Sequence, residues 1–502
     1  LRNLSILADT VDRIRAIEGK IIDPELVPLD DKKTFRMLAV GETEGTFQLN
    51  GSGMTRFLID LKPTTIHDIN AMVALYRPGP MQFIPDFKKR KQNKKLISYL
   101  DPSLEHILER TYGILVYQDD LLMIAKDIAG YTWGELDKFR KAVGKKIPAE
   151  MAAQKEKFIE GCVTHSKLSL KKAQELWTWI EPFAAYGFNK AHSASYGRLA
   201  YQTAYFKANF PAIYMSAILT AESGDTETIA KYIEECKKMK IPVLPPSVNE
   251  SFAGFTVVRD PEGKNADEIR FGLTTIKNFG EGIAKAIVHE RKRAGKFTSL
   301  SDFLSRITDK NLNKKSLESL IKAGALDDFG ERGQLFANLE TLLNFHKEKV
   351  SVGDTHDSLF GGMEGQNTVK MAESIEATMD EKLAWEKELL GLYISGHPLD
   401  KYKEKLEKRD MNIKKAFDVR ANTQITIGCI IERVREISTK KGEMMAFTKI
   451  ADLSGEIEMV VFPRTFIEYK QFLTPDTCII VLGKITERNG EKSLIAEKIK
   501  AL

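Results

Sequence analysis

The sequence has 502 residues, 43% of them hydrophobic and 29% charged, which suits a soluble chain of roughly three or four domains. No apolar run approaches the roughly 20 residues that span a bilayer and no signal peptide opens the chain, so a cytoplasmic protein without a membrane partner is expected. Four well-separated cysteines with no CxxC spacing argue against a zinc site and fit a reducing compartment, while a net charge of only +5 leaves any nucleic-acid signal to local patches.

Leu1 in place of a methionine reads as the start of an internal fragment. Helical spacing dominates from about residue 29 to 222, as in "DPSLEHILERTYGILVYQDDLLMIAKDIAGY" and "KKAQELWTWIEPFAAY". Inside it, "FKKRKQNKK" puts six cations in the eight positions 88–95 with no acid. That run is either a solvated charged face or a strip that follows a phosphate backbone. "FRKAVGKK" groups Arg140, Lys141, Lys145 and Lys146 around a glycine. In "YGFNKAHSASYGRLAYQTAYF", Asn189 is a good N-cap for a helix that carries Lys190, His192, Tyr196 and Arg198 in its first turns. Cations and free amides at one end, beside an aromatic or imidazole surface, suit a nucleoside triphosphate. The plainer reading makes His192 a packing residue on a face shared with Tyr196, Leu199 and Thr203.

"IPVLPPSVN" at 241–249 breaks the helical pattern at Pro245 and Pro246. Beyond it, "FGLTTIKNFGEGIAKAIVHERKRAGKF" carries Gly280-x-Gly282 ahead of a new helix. This is the helix-hairpin-helix pattern, whose glycines let backbone amides approach a DNA phosphate. Lys277, Lys285 and Arg291 to Arg293 surround it, and Gly324 in "NKKSLESLIKAGALDDFG" can serve a second hairpin. A plain αα-turn is the alternative. Residues 351–381 hold seven acids against one lysine and read as a flexible linker. Within it "HDSLFGG" offers Leu359 and Phe360 to a partner's pocket, or as a spot that folds back locally. After 421 the period drops to two, with turns at Lys441-Gly442, Ser454-Gly455 and Asn489-Gly490, as in a five-stranded OB barrel. Phe447 and Phe462 either stack on bases or belong to its core.

The stretches "VPLDDKKTFRML", "ETEGTFQLNGSGM", "PTTIHDINAMVALYRPGPM", "TYGILVYQDDLLMIA", "RKAVGKKIPAEMAAQKEKFIEG", "FAAYGFNKAHSASY" and "EKELLGLYISGHPLDKY" follow one another in an order that resembles the bacterial replicative DNA polymerase III alpha subunit along the whole chain. The resemblance implies a multidomain, mainly α chain: helical fingers and tandem helix-hairpin-helix, then a C-terminal all-β OB barrel. It divides the sequence into the end of a palm or connector (1–28), fingers (29–243), tandem helix-hairpin-helix (244–332), a linker with a sliding-clamp motif (333–420) and the OB domain (421–502). It implies a dNTP site of Arg140, Lys141, Lys145, Lys146, Asn189, Lys190 and His192, with His192 near the sugar. DNA contacts are implied at Lys277, Gly280, Gly282, Lys285 and Gly324, and the clamp motif at His356, Asp357, Ser358, Leu359 and Phe360. Implied partners are primer–template DNA, the incoming dNTP, the sliding clamp and other replicase subunits, in a nucleoid-associated enzyme.

The sequence departs from the family pattern at Asn50 (usually Glu), Asp119-Asp120 (Glu-Gln), Lys141 (Arg), Ala191 (Ser) and His356 (Gln). No Asp-x-Asp pair occurs. The resemblance places the palm carboxylates that hold Mg2+ upstream of Leu1, so this stretch is expected to hold substrate rather than turn it over. A DNA ligase would need a Lys-x-Asp-Gly motif and a P-loop ATPase a GxxxxGK[ST] run, and neither occurs. A non-catalytic DNA-binding scaffold, in which the cations meet only backbone phosphates, is the alternative function.

Overall fold

The computed structural model describes residues 2–145, 148–183, 187–259, 267–353, 368–488 and 491–502. No helix among them is long and apolar enough to cross a membrane. They fall into two compact units, one of residues 1–243 and 254–272 and the other of 244–253 and 273–502.

The first unit is helical. Its centre is a 20-residue helix, α5 (Lys190–Asn209), packed by α1 (Arg2–Glu18), α2 (Ile66–Leu75) and α6 (Pro211–Ala221), with α7 (Thr226–Lys238) against α6. The first helix packs into this unit. Ile6, Leu7 and Ile14 are buried, and Arg13 donates to the Phe255 carbonyl at 2.6 Å and to Ser216 Oγ at 3.1 Å. The close crossing of α5 on α2 depends on Gly197, because a Cβ there would sit 1.9 Å from Asn70 Oδ1. Ser193 Oγ donates to the Asn70 carbonyl at 2.6 Å in the same crossing. A second apolar core, of Tyr131, Phe139, Phe158 and Trp177 among others, holds α3 (Gln118–Asp127) and α4 (Trp133–Lys145) with the two helices that follow them.

Three of the six cations in the basic run 88–95 are engaged by their own surroundings. Lys88 pairs with Asp60 at 2.5 Å and Arg90 donates to the Tyr112 carbonyl at 3.0 Å. Lys91 pairs at 2.7 Å with the buried Asp68, which also accepts from Tyr112 and from two backbone amides at the start of α2.

In the second unit, Gly280 caps α8 (Glu281–Ala294), whose first turn holds Gly282, and α9 (Leu300–Arg306) and α10 (Lys314–Lys322) form the next helix pair. The turn joining that pair is 307–313, not the stretch around Gly324. Gly324 lies just past the end of α10, with φ +81°, the left-handed conformation that commonly ends a helix. The expected second hairpin at Gly324 is therefore corrected.

The described part of 333–420 is in part helical. Helices follow at Leu339–Gly353 and Met379–Leu390 (α11), and the extended stretch before α11 is tied back to the helical block. Val369 N–H donates to Ser301 Oγ at 2.9 Å, and Ala372 N–H donates to Asn338 Oδ1 at 2.8 Å. Few apolar residues are needed for this, because side-chain oxygens of the helical block bond the backbone directly. The strongest tie is buried. Arg332 donates to Glu386 at 2.8 Å, and Glu386 also accepts the Ile394 and Ser395 amides at 2.8 and 2.9 Å.

The C-terminal strands β1 (Gln424–Ser438), β2 (Met444–Asp452), β3 (Gly455–Val461), β4 (Cys478–Arg488) and β5 (Glu491–Ala501) close a barrel in the order β1-β2-β3-β5-β4. Alternate residues Ile425, Ile427, Cys429 and Ile431 fill it, as the period of two requires. Closure comes from the parallel pairing of β3 with β5, with Met459 opposite Leu494. A helical chain with a helix-hairpin-helix region and a closed OB barrel is the expected fold class.

Candidate functional site

The opening of α5 meets the opening of α3. Tyr117 bridges Phe188 as paired strands do, and Gln118 N–H donates to the Phe188 carbonyl at 3.0 Å. Two helix N-termini, each carrying partial positive charge, are thus set side by side. The acids at the start of α3 answer that charge. Asp119 accepts the Lys190 N–H at 2.8 Å, and Asp120 pairs with Lys190 Nζ at 2.7 Å. Asn189 caps α5 as its sequence suggests, its side-chain oxygen accepting from His192 N–H at 2.8 Å. The N–H groups of Lys190 and His192 are therefore already bonded. Those two amides of the first turn are not free.

What α5 does present is a cation and a row of rings. His192 is exposed and stands 4.3 Å from Tyr196 and 5.5 Å from Phe188, centroid to centroid. Tyr196 continues the row to Phe47 at 5.4 Å, and the Arg77 guanidinium lies 4.1 Å over Phe188. His192 is thus no buried core histidine. Thr203, on the same helix face, is buried, and its hydroxyl accepts the Phe47 N–H at 3.0 Å.

Phe47 and Arg77 also wall a cavity of about 500 Å³, with Gln48, Asn50, Tyr76 and Tyr232 among its other sides. Lys207, fully buried, fixes the loop that forms this wall. Its ammonium donates to the carbonyls of Glu42 and Glu44 at 2.9 and 2.8 Å and to the Glu235 carboxylate at 2.5 Å. Burial lowers its pKa, against the pull of Glu235. Tyr214 adds a hydroxyl bond of 2.9 Å to the Gly45 carbonyl.

The other expected nucleotide contacts lie on α4. Arg140 and Lys141 both pair with Asp137, at 2.9 and 2.8 Å, on an exposed face. Lys145 ends α4; its side chain, and Lys146, lie outside the described residues, as do His356, Asp357, Ser358, Leu359 and Phe360. The structure thus joins Asn189, Lys190 and His192 with Phe47, Arg77, Asp119 and Asp120. None of these last four was singled out as a contact, though an acidic pair opening a helix is a recognisable dipole partner.

In the second unit, a Cβ added at Gly280 or Gly282 would meet nothing within 4 Å, and no side chain caps α8. Lys277 is exposed beside this turn, and Lys285 pairs with Glu281 at 2.7 Å on the exposed face of α8. Arg291 does not belong with them. It is buried, donating to the Val248 carbonyl at 2.7 Å. Gly324 is also covered, since a Cβ there would lie 2.3 Å from the Arg332 guanidinium. On the barrel, Phe447 is half-buried beneath Arg435, at 5.4 Å, and Phe462 is 46% exposed, so neither ring belongs to the core. Among the described residues no three His, Cys, Asp or Glu side chains gather as a metal site, and Asp119 and Asp120 are both engaged by Lys190.

Three family models match along the chain: the bacterial DNA polymerase III alpha subunit finger domain at residues 3–166, a helix-hairpin-helix motif at 240–335, and an OB-fold nucleic acid binding domain at 426–502. DNA polymerase III subunit alpha of Thermus aquaticus is 40% identical over 100% of this chain and 41% of its own length. The subunits of Borreliella burgdorferi and Pseudomonas aeruginosa are 38% and 37% identical, over 99% and 100% of this chain and 43% and 45% of their own. The architecture is that of a helical chain with helix-hairpin-helix and OB modules. The chain belongs to the DNA polymerase III alpha subunit family. It spans about two fifths of the length of the curated relatives it matches.

Proposed function

We propose that the chain is part of a replicative DNA polymerase catalytic subunit, which carries out template-directed DNA synthesis from deoxynucleoside triphosphates in a soluble, nucleoid-associated replicase. Its share is to hold the incoming dNTP, the primer–template DNA and the sliding clamp, among other replicase subunits. The observation that carries the reading is the opening of α5, where a half-exposed lysine and a row of rings from Phe188 to Phe47 stand beside a cavity. Lys190 meets phosphate, with Arg140, Lys141, Lys145 and Lys146, and His192 lies against the sugar. The family's Mg2+ chemistry is assigned to no residue of this chain.

Gly280 and Gly282 take a DNA phosphate, with Lys277 and Lys285 beside them, because their approach is open. Gly324 is left out of that surface. His356 to Phe360 dock on the clamp, with Leu359 and Phe360 as apolar anchors. The domain limits at 243 and 420 stand as proposed boundaries of fingers and OB domain.

In the complete polymerase, Lys190→Ala and Arg140→Ala lower kcat/KM for nucleotide by roughly ten- to a hundredfold, the effect of losing one charge-assisted phosphate contact. Single-turnover incorporation measures it. Unchanged kcat/KM in both variants would mean that neither cation meets phosphate, as in a scaffold that contacts only DNA backbone.

A further inference from the structure

Lys190 is held by a carboxylate that has no other hydrogen-bond partner among the described residues. Asp120 has a side chain only 2% exposed, and one oxygen lies 2.7 Å from Lys190 Nζ. Its other oxygen is buried and meets no hydrogen-bond donor among the described residues. A buried carboxylate with a single cation depends on that cation for its charge to be tolerated. Around it stand Asp119, of like charge, and the Tyr117 ring, over which Lys190 lies at 5.5 Å. Lys190 itself is 44% exposed, so its remaining N–H bonds face outward from the pair.

We propose that Asp120 is an affinity-setting residue: it competes with an anionic ligand for the Lys190 ammonium and so weakens the binding of a polyphosphate at the opening of α5. The inference rests on the reading of that opening as a triphosphate site. A phosphate oxygen that reaches Lys190 shares the ammonium with a carboxylate that cannot move into water. Part of the attraction is therefore already spent within the protein. An amide in the same place keeps an acceptor for Lys190 but removes the competing charge. The effect runs through Lys190, so it disappears when Lys190 loses its charge.

Calorimetric titration of the complete polymerase with dATP, and with inorganic tripolyphosphate, tests this in four forms: parent, Asp120→Asn, Lys190→Met and the double variant. Asp120→Asn is expected to bind both probes about tenfold more tightly, Lys190→Met about tenfold more weakly, and the double variant like Lys190→Met. If Asp120→Asn matches the parent or binds more weakly while Lys190→Met is impaired, the competition is overturned and the triphosphate reading stands; in that case Asp120 only positions the lysine. If the tightening persists in the double variant, Asp120 does not act through Lys190, which also overturns the proposal. No binding in any form, or full affinity of Lys190→Met, overturns the triphosphate reading and the competition with it. A circular dichroism melt of Asp120→Asn close to the parent's is expected, because the substitution is isosteric and keeps the bond to Lys190.

Discussion

Replacing Lys207 by methionine is expected to destabilise the helical unit by about 3–5 kcal/mol, the usual cost of leaving one member of a buried ion pair alone. Lys207 is fully buried and its three donors go to Glu235 and to the carbonyls of Glu42 and Glu44. The methionine fills nearly the same volume but bonds none of them. The buried Glu235 carboxylate loses its cation, and the 42–47 loop loses the bonds that hold Phe47 toward Tyr196. Adding Glu235→Leu removes the stranded charge and recovers part of the loss, but the two carbonyls stay unbonded. Urea denaturation reads the stability, and hydrogen exchange at the Phe47 amide reads the loop. A loss below about 1 kcal/mol for Lys207→Met would mean that the pair is solvated, contrary to its burial.

The second large effect belongs to Glu386. This carboxylate is fully buried, pairs with Arg332, and accepts the backbone amides of Ile394 and Ser395. Glu386→Ala frees all of these at once. Arg332 keeps Asp327, at 2.9–3.0 Å, so its charge is not wholly stranded. A loss on the order of 3 kcal/mol is expected, near the lower end for a broken buried pair. The effect should be confined to the second unit, whose melting is followed separately from that of the first. Glu386→Gln preserves one acceptor for Arg332 but presents N–H groups to backbone N–H groups, so it recovers only part. Equal stability of Glu386→Ala and the parent would contradict the bonding described.

Features set by neighbouring residues were legible in the sequence, and features set by distant ones were not. The Asn189 cap, the Gly280-x-Gly282 turn and the alternation of the barrel strands are local patterns with a direct physical reading. The fate of the cations was not local. Lys190 meets Asp120 across 70 positions, and Lys91 meets Asp68 across 23. A charge run in sequence does not record which side chains turn inward. Arg291 is the instructive case, because the periodicity that located α8 also places it on the inner face. Ile283, Ile287 and Arg291 recur every four residues, and all three are buried. Gly324 was misread for a related reason: a glycine after an amphipathic helix commonly ends that helix, and a hairpin needs a following helix that starts there. The acidic stretch before α11 looked like a linker because it has few apolar residues, yet its backbone is bonded by Ser301, Asn338 and Glu331.

The central claim is that the ring row of α5 faces the sugar of an incoming nucleotide. Its most direct test is single-turnover incorporation of matched ribo- and deoxyribonucleotides by the complete polymerase with His192→Ala. If the imidazole closes the space beside the sugar, its removal makes room for a 2′-hydroxyl. Ribonucleotide incorporation then rises relative to deoxyribonucleotide, by about tenfold if the lost discrimination is near 1.4 kcal/mol. An unchanged preference for the deoxy sugar would contradict the account and leave His192 as a ring that only packs between Phe188 and Tyr196.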